Sequence, residues 1–221
     1  MNHRHAIAAA CFLALPLGAC PDDTTDATSS STDTSSSSGI ACTLPYLGDA
    51  SKDIELEAFY YGADDADHPI TADGNVDLLL PPQGGRVVYV GVRATNLDPC
   101  AATLTGALRD PTSHQVRFDT RTVNLQADSS MDGWGRSAPA ELASYANVPM
   151  CHNTWTSVDI YDSPFTLELS IVDADGKTAE TTVSVVPSCA EPEFEAECLC
   201  ICKGGYVLGD PCDTGAGGNG G

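Results

Sequence analysis

The sequence predicts an all-β protein: an antiparallel two-sheet sandwich of about seven strands, followed by a small disulfide-rich tail. Three observations carry this. Short apolar runs rich in β-branched and aromatic residues recur between Gly, Pro and Asp turn signals, at intervals of about 10 residues. No run of about 20 apolar residues occurs, so no transmembrane helix is expected. Five of the ten cysteines crowd the C-terminal end.

The elements follow in order. Ile54, Leu56, Ala58 and Tyr60 alternate with Glu55, Glu57, Phe59 and Tyr61, which gives a first strand. Val76, Leu78 and Leu80 form a short run stopped by Pro81-Pro82. After Gly84-Gly85 comes RVVYVGVRATN, with Val88, Val90, Val92 and Ala94 on one face. Ala102, Leu104, Gly106 and Leu108 repeat the period of two, and Asp110-Pro111 ends them. Val116 and Phe118 share a face, whereas Val123 and Leu125 have the opposite parity. A β-bulge or break near Thr120 would turn all four to the core. Phe165, Leu167, Leu169 and Ile171 alternate up to Asp173-Ala174-Asp175-Gly176, and Val183 and Val185 alternate after it. Two such runs around a Gly-ended turn make an antiparallel hairpin.

The stretch 132–156 fits no strand. Ser137, Pro139 and Glu141 could start one helical turn through Tyr145. The rest reads as a long loop holding Trp134, Cys151, His152 and Trp155. Long loops on a rigid sandwich often carry binding, so Trp134, Tyr145, His152 and Trp155 are candidate binding residues. The plainer reading has both tryptophans covering the open end of the sandwich. The Gly-Gly-led strand at 84–95 and the hairpin at 165–186 resemble the immunoglobulin-like modules of bacterial surface proteins. That resemblance implies an immunoglobulin-like sandwich over residues 40–188.

Residues 1–19 have a positive start at Arg4 and an apolar stretch from Ala6 to Leu17, the pattern of a signal peptide. The stretch ends in Leu17-Gly18-Ala19-Cys20, which resembles the lipobox of bacterial lipoproteins. The resemblance implies cleavage before Cys20, a diacylglycerol on its thiol and an acyl chain, palmitate for example, on its new amino group. Several chains on one residue hold a protein on a bilayer where one chain alone is marginal. Residues 20–39 then form a tether. Its segment 21–39 has twelve Ser or Thr and four Asp, nothing to bury, and is expected to be disordered. Stretched out it would reach about 65 Å.

Cys11 falls in the discarded peptide. Cys42, Cys100, Cys151, Cys189, Cys198, Cys200, Cys202 and Cys212 remain, an even number that implies disulfides in an exported chain. Cys100 and Cys151 each sit at a strand boundary and are the preferred pair within the sandwich. In the tail at 189–214, Cys200-x-Cys202-x-x-Gly205-Tyr206 followed by Gly209-x-x-Cys212 is similar to the second half of an EGF-like module. That resemblance implies bonds Cys202–Cys212 and Cys189–Cys200. Residues 215–221 are a Gly-rich end.

Little else carries chemistry. Asp64, Asp65, Asp67 and Asp73 form a weak calcium candidate, since hard cations take carboxylate oxygens. Asp173 and Asp175 are turn formers first. Thiolates at Cys198, Cys200 and Cys202 would suit soft metals, but export oxidises them. His114, Met150, Cys151 and His152 supply blue-copper residue types at the wrong order and spacing. No G-x-S-x-G, H-E-x-x-H or phosphate-loop motif occurs. With 31 acidic against 10 basic residues and a net charge of −21, the chain is expected to repel nucleic acid and anionic lipid alike. These features point to a non-catalytic, lipid-anchored protein of the outer membrane or cell surface. Its partner would be another envelope protein or a surface glycan, and no cofactor is expected beyond the lipid on Cys20.

Overall fold

A computed structural model describes residues 44–212. The expected leader, Cys20, the tether, Cys42 and the Gly-rich end lie outside these residues. The chain divides into two units, Met1–Gly39 and Ile40–Gly221, and every described residue belongs to the second.

Strands turn successive side chains to opposite faces, so each alternating run can bury one face. The first sheet contains β1 (Glu55–Tyr61), β2 (Asp67–Pro69), β4 (Arg86–Thr95), β7 (Gln126–Ala127), β8 (Trp134–Arg136) and β9 (Ala146–Cys151). Its spine is β4. Antiparallel β1 runs along one side of it, and β9 and β8 share the other. The second sheet has the order β3 (Gly74–Asp77), β11 (Thr178–Ser188), β10 (Phe165–Val172), β5 (Ala102–Arg109) and β6 (Val116–Val123). Its pairs are antiparallel except β3 with β11. Seven of these strands have six or more residues. Placing β1, β4 and β9 in one sheet against β5, β10 and β11 in the other is the immunoglobulin-like arrangement.

The core lies between the sheets. Val88, Val90 and Val92 of β4 meet Leu104 and Leu108 of β5 and Phe165, Leu167, Leu169 and Ile171 of β10, all essentially inaccessible. The sheets approach closely at Gly106, where a Cβ would stand 3.1 Å from that of Ala146. At one end of β4 the N-terminal segment is fastened, with Leu47 N–H donating to the Leu97 carbonyl and Tyr46 OH to that of Asn96. A second, smaller cluster of Leu79, Val87, Tyr89 and Tyr145 covers the outer face of β4. Gly91 permits it, because a Cβ there would lie 2.6 Å from the Tyr145 ring. The Tyr145 hydroxyl donates to Asp67, which also meets Arg136. Burial first, and then that bond, raises its pKa.

The structure corrects three expectations. First, β6 has no bulge: its register with β5 runs unbroken from Ala102↔Val123 to Arg109↔Val116. Val116 and Phe118 instead face outward, Phe118 being 61% exposed. Arg117, Asp119 and Arg121 take the other face, where Asp119 pairs with Arg121 and accepts the Asn147 amide of β9. Second, 132–156 is not mainly loop. It contains β8, a 3-10 turn at Leu142–Ser144 and β9, and β9 sends Ala146, Val148 and Met150 into the core. Pro149 is tolerated because β9 pairs only with β4.

Third, the disulfide pairing differs. Cys151 bonds to Cys202, not to Cys100. The tail bonds are Cys189–Cys198 and Cys200–Cys212 rather than the pairs implied by the EGF-like resemblance. Cys100 is also in a disulfide, and its partner lies outside the described residues. The tail forms a short helix, α1 (Glu195–Ile201), whose Cys198, Ile201 and neighbouring Cys202 are buried at helical spacing. This helix docks on the end of the sandwich opposite the N-terminal segment. Arg86, buried at the start of β4, donates to the carbonyls of Gly85 and Phe194 and pairs with Glu197.

Candidate binding site at the capped end

Three segments meet at the capped end: the turn after β5, the loop after β9, and the tail beyond α1. Asp110 begins the turn and organises it. One carboxylate oxygen accepts the Thr112 amide at 2.8 Å, and the other accepts the hydroxyls of Ser113 at 2.7 Å and Thr156 at 2.6 Å. Burial raises the pKa of this carboxyl, but the hydroxyl and amide donors outweigh it and hold the group at about 2. Asp110 is thus an ionised staple between the hairpin and the 152–161 loop.

The loop is fixed from its other side by the tail. Asn153 N–H donates to the Ile201 carbonyl at 2.8 Å, and its side-chain amide donates to the carbonyls of Val158 and Cys202. The Gly204 amide donates to Asp159 at 2.7 Å. Gly204 lies so close that a Cβ would stand 2.3 Å from the Ser157 carbonyl oxygen. Trp155 is buried against Phe165, with its indole N–H donating to the Met150 carbonyl at 2.8 Å.

Two adjoining open depressions result. One, of about 460 Å³, lies between residues 153–157 and Gly204, Gly205 and Tyr206. The other, of about 260 Å³, is bordered by Arg117, Pro149, Cys151, His152, Thr154 and Leu208. Thr154 lines both, and the exposed His152 ring stacks on Tyr206 at 5.5 Å between centroids. Among the described arginines, Arg86, Arg93, Arg109, Arg121 and Arg136 each meet a carboxylate. Arg117 does not, and its guanidinium lies 5.5 Å from the centre of the Trp155 ring. This end therefore offers a cation, aromatic faces and the exposed Leu208 on a base held rigid by hydrogen bonds.

His152 and Trp155 meet at this end, as parts of floor and wall. The other two candidate loop residues do not join them. Tyr145 is buried on the outer face of β4, and Trp134 pairs with Thr95 at the opposite end of that strand. Arg117 and Leu208 escaped the sequence reading, which took Gly205 and Tyr206 only as part of the tail's cysteine pattern. Arg117 could have been found as a cation on a strand with no acid at the position opposite, Leu108. Three of the four candidate acids of the 64–73 loop are separately engaged, Asp64 with His68, Asp65 with Tyr61, and Asp67 with Tyr145 and Arg136, while Asp73 donates its backbone N–H to the Ser184 carbonyl. Among the described residues, the one group of three or more His, Cys, Asp or Glu with ligand atoms within 4.8 Å is Cys189, Cys198 and Cys202, all in disulfides.

Compared with protein-family models and with curated proteins, the sequence matches none of them.

Proposed function

We propose that this chain is a lipid-anchored, non-catalytic protein of the cell envelope, whose immunoglobulin-like sandwich acts as a binding or adhesion module. The observation that carries the reading is that all seven described cysteines are bonded. Such saturation belongs to an oxidising compartment, outside the cytosol. The lipobox-like Leu17-Gly18-Ala19-Cys20 supplies the means of attachment. Binding is assigned to the capped end, where Arg117, His152 and Leu208 surround an open depression. Partners of the expected kind are another envelope protein or a surface glycan, which rigid aromatic and polar groups on a sandwich end can recognise.

Two measurements test this. Replacing Cys20 with Ala should move the protein from the membrane fraction to the soluble one, and unchanged partition would remove the anchor from the reading. Arg117→Glu and Leu208→Asp should each lower retention on envelope extract and on immobilised surface glycans about tenfold, the effect of losing about 1.4 kcal/mol. Undiminished retention by both variants would remove the capped end as the binding surface.

A further inference from the structure

Two disulfides of the cap lie nearly in contact. The Sγ atoms of Cys198 and Cys202 are 3.9 Å apart, although each belongs to a different bond, Cys189–Cys198 and Cys151–Cys202. The cause is local: Cys198 and Cys202 are four residues apart at the end of α1, so both project on one side of it. The surrounding burial is uneven. Cys198, Cys202 and Cys151 are buried, and only Cys189 is partly open to solvent.

We propose that these four cysteines form an internal thiol–disulfide exchange site, which accepts an external thiol at Cys189 and delivers a thiolate at Cys151. Its substrate class is a small or protein-borne thiol reductant. The external thiolate attacks the sulfur of Cys189, the least buried of the four residues, forms a mixed disulfide with it and expels Cys198 as a thiolate. That thiolate attacks the Cys202 sulfur beside it, forming a Cys198–Cys202 bond and expelling Cys151. One sulfur–sulfur bond forms and one breaks at each step, and one thiolate enters and one leaves. With a dithiol reductant, its second thiol displaces Cys189, so the net change is a two-electron reduction that leaves Cys151 and Cys189 as thiols. Cys151 suits the role of leaving group. It borders the cleft that holds Arg117, and a cationic neighbour favours a thiolate. The exchange severs the one described covalent bond between the tail and the first sheet, Cys151–Cys202.

The test is limited reduction of the full chain with dithiothreitol, followed by acid quenching, alkylation and peptide mass mapping. The Cys200–Cys212 bond is followed in the same digest, so its reduction does not obscure the result. Among molecules holding one bond within the four-cysteine group, the majority should carry label on Cys151 and Cys189 and a Cys198–Cys202 bond. Label on Cys189 and Cys198 with Cys151–Cys202 intact would overturn the proposal. So would label on Cys151 and Cys202 with Cys189–Cys198 intact, which means direct attack on the buried bond. A second chain, Cys189→Ser, begins with an odd cysteine at 198. Its free thiol should be found mainly at Cys151, and a thiol that stays at Cys198 would refute the exchange independently.

Discussion

Replacing Asp110 with Asn tests whether the capped end is held by a buried charge or by shape alone. The Asp110 carboxylate is 1% exposed and accepts the Thr112 amide and the hydroxyls of Ser113 and Thr156. Its pKa stands at about 2 against an ordinary 3.8. A tenfold change in a proton equilibrium is worth about 1.4 kcal/mol, so the ionised form contributes roughly 2 kcal/mol to folding at neutral pH. The folded-state pKa is depressed, so the contribution is complete above pH 3.8 and fades as pH falls towards 2. The Asn variant has no charge and turns one acceptor into a donor facing hydroxyls. At pH 7 it should be less stable by about 2 kcal/mol, which for a domain of this size is about 4–8 °C in Tm. Urea unfolding of both proteins at pH 7, 5, 3 and 2, with disulfides intact, gives the difference directly. That difference should be constant from pH 7 to 5, shrink at pH 3 and nearly close at pH 2. A difference that stays the same at all four values would refute the charged staple and leave a packing defect as the cause.

Two other predictions concern opposite faces of the molecule. Gly91→Ala places a methyl 2.6 Å from the buried Tyr145 ring and 3.0 Å from Ser137 Cβ, and should cost about 1–3 kcal/mol by denaturant unfolding; an unaltered midpoint would mean that Tyr145 can leave the face of β4 freely. Phe118→Ser should change stability by no more than about 0.5 kcal/mol, because that ring points outward from β6. A loss of several kcal/mol would restore the inward placement that the sequence suggested.

The sandwich was legible where the core-facing side chains keep a strict period of two. Phe165 to Ile171 and Val88 to Ala94 alternate cleanly because a one-residue slip would take four side chains out of the core. Legibility failed where charge replaces apolar burial. On β6 the inward positions belong to Arg117, which lies over Trp155, and to Asp119 and Arg121, which pair with each other and with β9, so the sequence pattern misplaces the exposed Val116 and Phe118 in the core. In β9, Ala146, Val148 and Met150 do alternate, but Pro149 hid the strand by interrupting a ladder it can interrupt only at an edge. Disulfide pairing was out of reach for a different reason. Cys151 and Cys202 are 51 residues apart, and what brings them together is the docking of α1, not any local spacing. At the capped end, His152 and Trp155 were legible because they lie in a stretch without strand patterning, which reads as a long loop. Their partners Tyr206 and Leu208 lie in the tail, which spacing alone could not place on the sandwich.

The placement of the first and last described segments has a mechanical consequence. The N-terminal segment is fastened beside Asn96 and Leu97, at the far end of β4 from Arg86, where the tail docks. Ten residues of strand, about 33 Å, separate them. A pull between these points runs parallel to β4, β10 and β11, while ladder hydrogen bonds lie across the strands. The bonds of each ladder would therefore be loaded together in shear rather than opened in succession. The Cys151–Cys202 bridge would pass part of the tail's load into the first sheet through β9, so that neither sheet carries the tension alone.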